Sequence, residues 1–169
     1  MLQAVMIADC FYVPGNHESY LEPEVYRQLV EGMLSFGVTV MEDSETILHK
    51  DGKYISIVGY GWDQQAERAH LNSFSGYRIL LAHRPEYFAD YVAADFDLVL
   101  SGHTHGGQVR LPWIGALFAT GQGLFPEYDA GMYTQGDTDM FVSRGVGTTG
   151  LPFRFCNQPE IVVVELKCA

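Results

Sequence analysis

Two short apolar runs, Ile79-Leu80-Leu81-Ala82 and Leu98-Val99-Leu100, each lead into histidine. His83 follows the first at once, and His103 and His105 follow the second in the stretch LVLSGHTHGGQ. Apolar runs of this length, bounded by polar residues and glycine, predict buried strands. Each is preceded by a stretch that reads as a helix or a turn, so the rhythm is βα and predicts an α/β fold. Open α/β sheets place ligands and catalytic groups outside the C-terminal ends of their strands, which is where these histidines fall. One feature therefore limits the fold and locates a candidate site.

The rest of the chain keeps the same rhythm. Cys10 to Val13 reads as a short buried strand, followed by a Gly15-Asn16-His17-Glu18 turn. Leu21-Glu22-Pro23-Glu24 resembles a helix start, with proline in the first turn and acids at the positive end of the dipole. Val25, Leu29, Val30, Met33 and Leu34 then recur at helical spacing, and Gly37 ends the helix. Val38 to Met41 reads as a strand. Thr46 to His49 and Tyr54 to Val58 flank Asp51-Gly52, a strong hairpin signal. A further helix is predicted over Gln64 to Phe74. Glycine is frequent from Gly106 to Gly123, where no regular element is assigned, and Gly131 to Thr134, Met140 to Ser143 and Ile161 to Leu166 read as strands. No repeat or linker divides the chain, so residues 1–169 are expected to form one domain, with room for a core that buries roughly 70% of the unfolded surface.

His103-Thr104-His105, held between Gly102, Gly106 and Gly107, is a tight loop that can aim both imidazoles at one cavity, because glycine permits the backbone angles required. Neutral imidazole is a good ligand for Zn, Mn or Fe, and Asn16 can add a carbonyl oxygen. A lone histidine at a strand end is more often a hydrogen-bonded structural residue. Two histidines two apart in a glycine cage, together with Gly-Asn-His and a third strand-end histidine, form a pattern that this bland reading does not cover. His49, beside the Asp51-Gly52 hairpin, and His70, in a polar helical stretch, read as surface or structural residues.

Charge and hydropathy narrow the partners. The net charge of −11 disfavours a nucleic-acid face built from Lys and Arg. No window reaches the ~18 unbroken apolar residues of a membrane span. Three cysteines, without close CxxC spacing, suggest neither a disulfide framework nor a zinc ribbon, and mildly favour a reducing compartment. A cytoplasmic location, or a peripheral one at a membrane, is expected.

VPGNHE, LLAHRPE and SGHTHGGQ, in this order and spacing, resemble the last three motifs of the calcineurin-like metallophosphoesterases, and the likeness extends over essentially the whole chain. GHTHGGQ followed by Arg110-Leu111-Pro112, and later VSRGVGTTGLPFRFCNQPEI, resembles more narrowly the bacterial, often membrane-associated branch related to lipid A-precursor, UDP-diacylglucosamine-type phosphodiesterases. The resemblance implies a hydrolase of phosphomonoester, phosphodiester or pyrophosphate linkages that uses two divalent ions (Mn, Fe or Zn). It implies that Asn16, His83 and His103 bind one ion and that His105 binds the other. His17 would sit beside the scissile phosphate, stabilising its developing charge or protonating the leaving oxygen. The mechanism implied is in-line attack by a hydroxide bridging two ions ~3.5–4 Å apart.

The same family carries two earlier motifs, Asp-x-His and Gly-Asp-x-x-Asp or Asn, upstream of Gly-Asn-His. Residues 1–14 contain neither, and Asp9 is the sole acid among them. The resemblance then implies an N-terminally truncated, incomplete α/β sandwich lacking its first βαβ strands, with one ion or none fully ligated. Three readings stay open: an active phosphoesterase on a phosphoester substrate, lipid-linked or not; weak single-metal hydrolysis; or a catalytically silent metal-binding or assembly fragment. Absent strands would expose sheet edges and apolar area, so self-association is expected. No substrate-binding residue is assigned. Arg84 and Arg144 are phosphate contacts or structural ion-pair partners, and Trp113, Phe118 and Phe125 line a lipid-like groove or cover the core.

Overall fold

The strand β5 (Tyr77–Leu81) and the strand β6 (Leu98–Ser101) pair in parallel with Ile79 opposite Leu98 and Leu81 opposite Leu100. This register brings their C-terminal ends level, so His83 and Gly102 leave the sheet side by side. The computed structural model describes residues 2–62, 75–148 and 152–167. Among these the central sheet has six strands in the order β11-β12-β6-β5-β4-β3. β3 (Ser44–Lys50) and β4 (Lys53–Gly59) form the antiparallel hairpin that Asp51-Gly52 predicts, with both turn residues at positive φ. β4 runs parallel to β5. On the far side β12 (Thr138–Val142) runs parallel to β6, and β11 (Gly131–Gln135) closes the sheet antiparallel to β12.

Alternation along the strands divides the apolar residues between two faces. One face carries Val58, Leu80, Val99, Met140 and Val142, all fully buried, and packs against Phe88 and Tyr91 of α3 (Phe88–Ala93) and against Phe96. The other face carries Leu81, Leu100 and Phe141, which are only half-buried. There they line a cleft of about 290 Å³ with Phe11, Val13, Val162 and Val164.

Beyond the central sheet, α1 (Leu2–Val5) leads to β1 (Cys10–Tyr12), which pairs in parallel with β2 (Val38–Val40). They are joined by the Gly-Asn-His turn and by α2 (Pro23–Ser35), which begins on its proline and stops before Gly37 at φ +82. The apolar stripe of α2 behaves differently from its pattern: Met33 is buried, whereas Val25, Leu29 and Leu34 are exposed. The glycine-rich stretch contains two small antiparallel ribbons, β7 (Arg110–Leu111) with β8 (Gly115–Ala116), and β9 (Phe118–Ala119) with β10 (Gly123–Leu124).

Residues 161–166 correct an expectation. They form no strand ladder among the described residues, and Ile161 and Val163 are 85% and 90% exposed. β-branched side chains favour an extended backbone, but a ladder also needs a neighbour to pair with. The helix expected over Gln64 to Phe74, with His70, lies outside the described residues.

Candidate metal centre

Three elements deliver the site. The Gly15-to-Glu18 turn after β1 is tightened by the Gly15 amide, which donates to Oε2 of Glu18 at 2.7 Å, and by Ser19 Oγ, which donates to the Asn16 carbonyl at 2.7 Å. His83 follows β5, and its carbonyl accepts from Ser101 Oγ at 3.1 Å. Gly15 lies so close to the His83 ring that a Cβ there would stand 2.6 Å from Cε1. The third element is the loop after β6, where His103, His105 and Gln108 sit at positive φ, as do Gly106 and Gly107. Left-handed backbone at two histidines is costly and marks the loop as functionally constrained. Arg110 and Thr104 secure it: Arg110 Nη1 donates to the Gly106 carbonyl and pairs with Asp129, while Thr104 Oγ1 donates to the Asp129 carbonyl.

The side chains converge on Nε2 of His83. It stands 2.9 Å from Oδ1 of Asn16 and 2.9 Å from Nδ1 of His103. One ring nitrogen carries one proton at most, so these three atoms cannot all be satisfied by hydrogen bonds among themselves. They fit a shared cation instead, because ligand atoms about 2.1 Å from one ion and at right angles lie about 3 Å apart. Burial favours the neutral rings such a site needs. It pushes the pKa of His83 and of His103 down to about 4, with neighbouring positive groups adding to the effect: His103 acts on His83, and Arg84 on His103. Burial also lowers the pKa of His105.

His105 stands apart from this trio. Its Nδ1 lies 3.2 Å from the Gly147 carbonyl, which can only accept, so Nδ1 carries the proton and Nε2 presents its lone pair. Asn157 Nδ2 donates to the His105 carbonyl at 2.7 Å. His17 is exposed at the head of the turn and electrostatically coupled to both His103 and His105. The structure thus brings Asn16, His83 and His103 together, with His105 and His17 near them but outside the contact. Among the described residues, no group of three or more His, Cys, Asp or Glu side chains could hold an ion, and Asp9 is exposed. The asparagine is what makes the trio.

Other candidates find structural partners. Arg84 Nε donates to Oε1 of Glu86 at 2.8 Å, and Arg144 holds Glu160 through its backbone amide and its guanidinium. His49 is exposed and packs on Tyr54, with ring centroids 4.7 Å apart. Trp113, Phe118 and Phe125 are exposed and do not cover the core. Sequence reasoning missed Glu86, Gly121 and Arg154. Arg154 donates to the Gly147 and Arg144 carbonyls beside His105, and forms no ion pair among the described residues. The one available signal was that Glu86 follows His83 by three residues.

An α/β sheet thus brings strand-end histidines against an asparagine from the turn after β1, a donor set suited to a divalent ion. The calcineurin-like phosphoesterase family model matches residues 2–107, and the chain belongs to that family. It is similar to an uncharacterised metallophosphoesterase, YkuE, of Bacillus subtilis, with 35% identity over 94% of this chain and 55% of that protein. It is similar to the phosphodiesterase YaeI of Escherichia coli, with 32% identity over 95% of this chain and 60% of that protein. A Campylobacter jejuni metallophosphoesterase, Cj0846, is 34% identical over 93% of this chain and 42% of its own length. The chain therefore spans about half the length of the relatives it matches. No solved structure gives a significant match.

Proposed function

We propose that this chain carries the histidine half of a phosphoesterase site that hydrolyses phosphodiesters. The convergence of Asn16 Oδ1 and His103 Nδ1 on His83 Nε2 carries the reading. Asn16, His83 and His103 would hold one divalent ion, and His105, whose Nδ1 lies toward the Gly147 carbonyl, would offer Nε2 to the other. A bound ion supplies Lewis-acid stabilisation of the phosphoryl oxygens and makes water acidic enough to serve as the nucleophile near neutral pH. The chain's own residues do the rest. His17, exposed and electrostatically coupled to the two histidines of the β6 loop, would donate a proton to the departing oxygen or a hydrogen bond to the phosphoryl group. The αL loop fixes the imidazoles before substrate arrives, which lowers the cost of organising them.

A lipid-bearing substrate is supported by the small ribbons. Trp113, Ile114, Leu124 and Phe125 are exposed there, on the segment that packs against the His105 turn through Gly107 and Ala116. A chromogenic phosphodiester assay with added Mn²⁺, run beside an acylated phosphodiester in micelles, tests both parts. Turnover that falls about 10²–10⁴-fold in His17→Ala, while Mn²⁺ uptake is unchanged, is expected. Equal rates on both substrates would remove the lipid preference.

A second reading, a catalytically silent assembly fragment, is favoured by one observation: residues 161–166 form no strand ladder among the described residues, and the β-branched Ile161 and Val163 are exposed there. Mn²⁺ binding without turnover, in a chain that associates in solution, would favour it.

A further inference from the structure

A second cavity, of about 280 Å³, adjoins the Gly15-to-Glu18 turn. Its walls are apolar and aromatic: Leu21 and Pro23 at the start of α2, Tyr26 one turn further on, and Trp62 shortly after β4. Two carboxylates, Glu18 and Glu42, share the lining. Each is fixed from within the fold: Glu18 Oε2 accepts from the Gly15 amide at 2.7 Å, and Glu42 Oε1 accepts from Tyr26 O–H. Burial, then Glu18, then Glu42 hold the Tyr12 phenol in its protonated form, so both carboxylates lie within reach of one side chain of β1. Among the described residues neither is paired with a lysine or an arginine.

The chemistry of the lining selects among cations. A divalent ion held by two carboxylates keeps a shell of water, whose hydrogens the side chains of Leu21, Pro23 and Trp62 cannot accept. Aromatic faces and apolar walls around negative charge suit an organic ammonium instead. The rings attract the cation through their quadrupole, its carbon atoms bury against the walls, and the carboxylates balance its charge. We propose that this cavity binds an organic ammonium group carried by the substrate, so that the preferred substrate is a phosphodiester esterified on one side to an amino or trimethylamino alcohol. The cavity is placed for this: Glu18 lies in the turn that carries Asn16 and His17, and it is electrostatically coupled to His83. Phosphate at the trio and ammonium in the cavity would then be held from one turn, and the chain's net charge of −11 draws cations toward it. The substrate assignment rests on the phosphodiester reading, whereas the cavity's preference for a cation does not.

The test uses the full chain labelled with 5-fluorotryptophan, whose two tryptophans give two ¹⁹F signals that Trp62→Phe assigns. Choline is expected to shift the Trp62 signal saturably and to leave that of Trp113 in place. Its uncharged isostere 3,3-dimethylbutanol is expected to bind at least about tenfold more weakly, as is choline to a variant carrying Glu18→Gln and Glu42→Gln. Glutamine keeps an acceptor for the Gly15 amide and for Tyr26, so the double variant removes charge and little else; the isostere tests the same point on the unaltered chain. With Mn²⁺ present, glycerophosphocholine is expected to bind about 100-fold more tightly than choline, because two sites are then engaged by one molecule. Glycerophosphoglycerol, which lacks the ammonium, is expected to lose that gain. A Trp62 signal indifferent to choline, equal binding of the isostere, or unchanged affinity in the double variant overturns the proposal. Choline that binds with the expected selectivity beside glycerophosphocholine that binds no more tightly with Mn²⁺ overturns the phosphodiester reading, and makes the cavity a site for a free ammonium compound.

Discussion

The trio at His83 depends on a close approach that a single methyl group would prevent. Gly15 has an ordinary backbone angle but no room, since a Cβ would lie 2.6–3.0 Å from three atoms of the His83 ring. Gly15→Ala is therefore expected to displace the imidazole, costing about 1–3 kcal/mol of stability and abolishing Mn²⁺ uptake. Calorimetric titration and urea unfolding check it; a variant with wild-type affinity would show that the contact yields. Protonation provides a second residue-scale expectation. His83 and His103 have folded pKa values of about 4 against an ordinary 6.5. As pH falls through 6.5, the unfolded chain takes up protons that the folded chain refuses, so metal-free stability falls between 6.5 and 4 and is unaffected by these groups above 6.5. Thermal unfolding across pH 3.5–8 is expected to show that slope in the wild type and a shallower one in a His83→Gln, His103→Gln variant. Parallel curves over this window would mean that the rings are not held neutral by the fold.

At the scale of elements, local chemistry was legible and remote chemistry was not. The hairpin of β3 and β4 follows from Asp51-Gly52 alone, because both turn residues accept positive φ. The α2 start follows from Pro23, and the strand ends at His83 and His103 follow from two apolar runs. The ribbon of β7 and β8 left no such pattern, because it is organised by one residue further along the chain. Asp129 Oδ2 accepts from the Ala116 amide at 2.8 Å and pairs with Arg110 at 2.9 Å, and the Asp129 carbonyl accepts from Thr104. The convergence of Asn16 on His83 was equally hidden, being a contact across sixty-seven positions. The resemblance supplied that partnership, and spacing alone could not. The same hub makes a prediction: Asp129→Ala should free Arg110 and the Ala116 amide while keeping the backbone bond to Thr104, losing about 1.5–3 kcal/mol for the charged hydrogen bonds. Urea unfolding measures the loss, and a weaker Mn²⁺ affinity in the same variant would show that the loop needs the ribbon. Unchanged affinity would confine Asp129 to the ribbon itself.

For the molecule as a whole, the two faces of the central sheet have unequal cover. α3 and Phe96 seal one, whereas on the other Leu81, Leu100 and Phe141 line an apolar cleft of about 290 Å³ bordered by β1 and residues 162 and 164. Exposed apolar side chains lie on α2 and along residues 161–166, where Ile161 and Val163 are almost fully open to solvent. Exposed apolar side chains favour pairing with another chain, and a net charge of −11 opposes it through repulsion at low ionic strength. Which effect wins is set by salt. Screening shortens the repulsion to about 8 Å at physiological ionic strength but leaves apolar burial intact. Self-association is therefore expected to strengthen from low to moderate salt, the reverse of association held by ion pairs. Light scattering across a dilution series at both ionic strengths measures it. Ile161→Lys with Val163→Lys is expected to return the chain to a monomer at equal fold and equal Mn²⁺ uptake, because neither side chain touches the trio. A wild-type chain that stays monomeric through the whole series, or a lysine variant that associates as strongly, would show that residues 161–166 are not the surface that pairs.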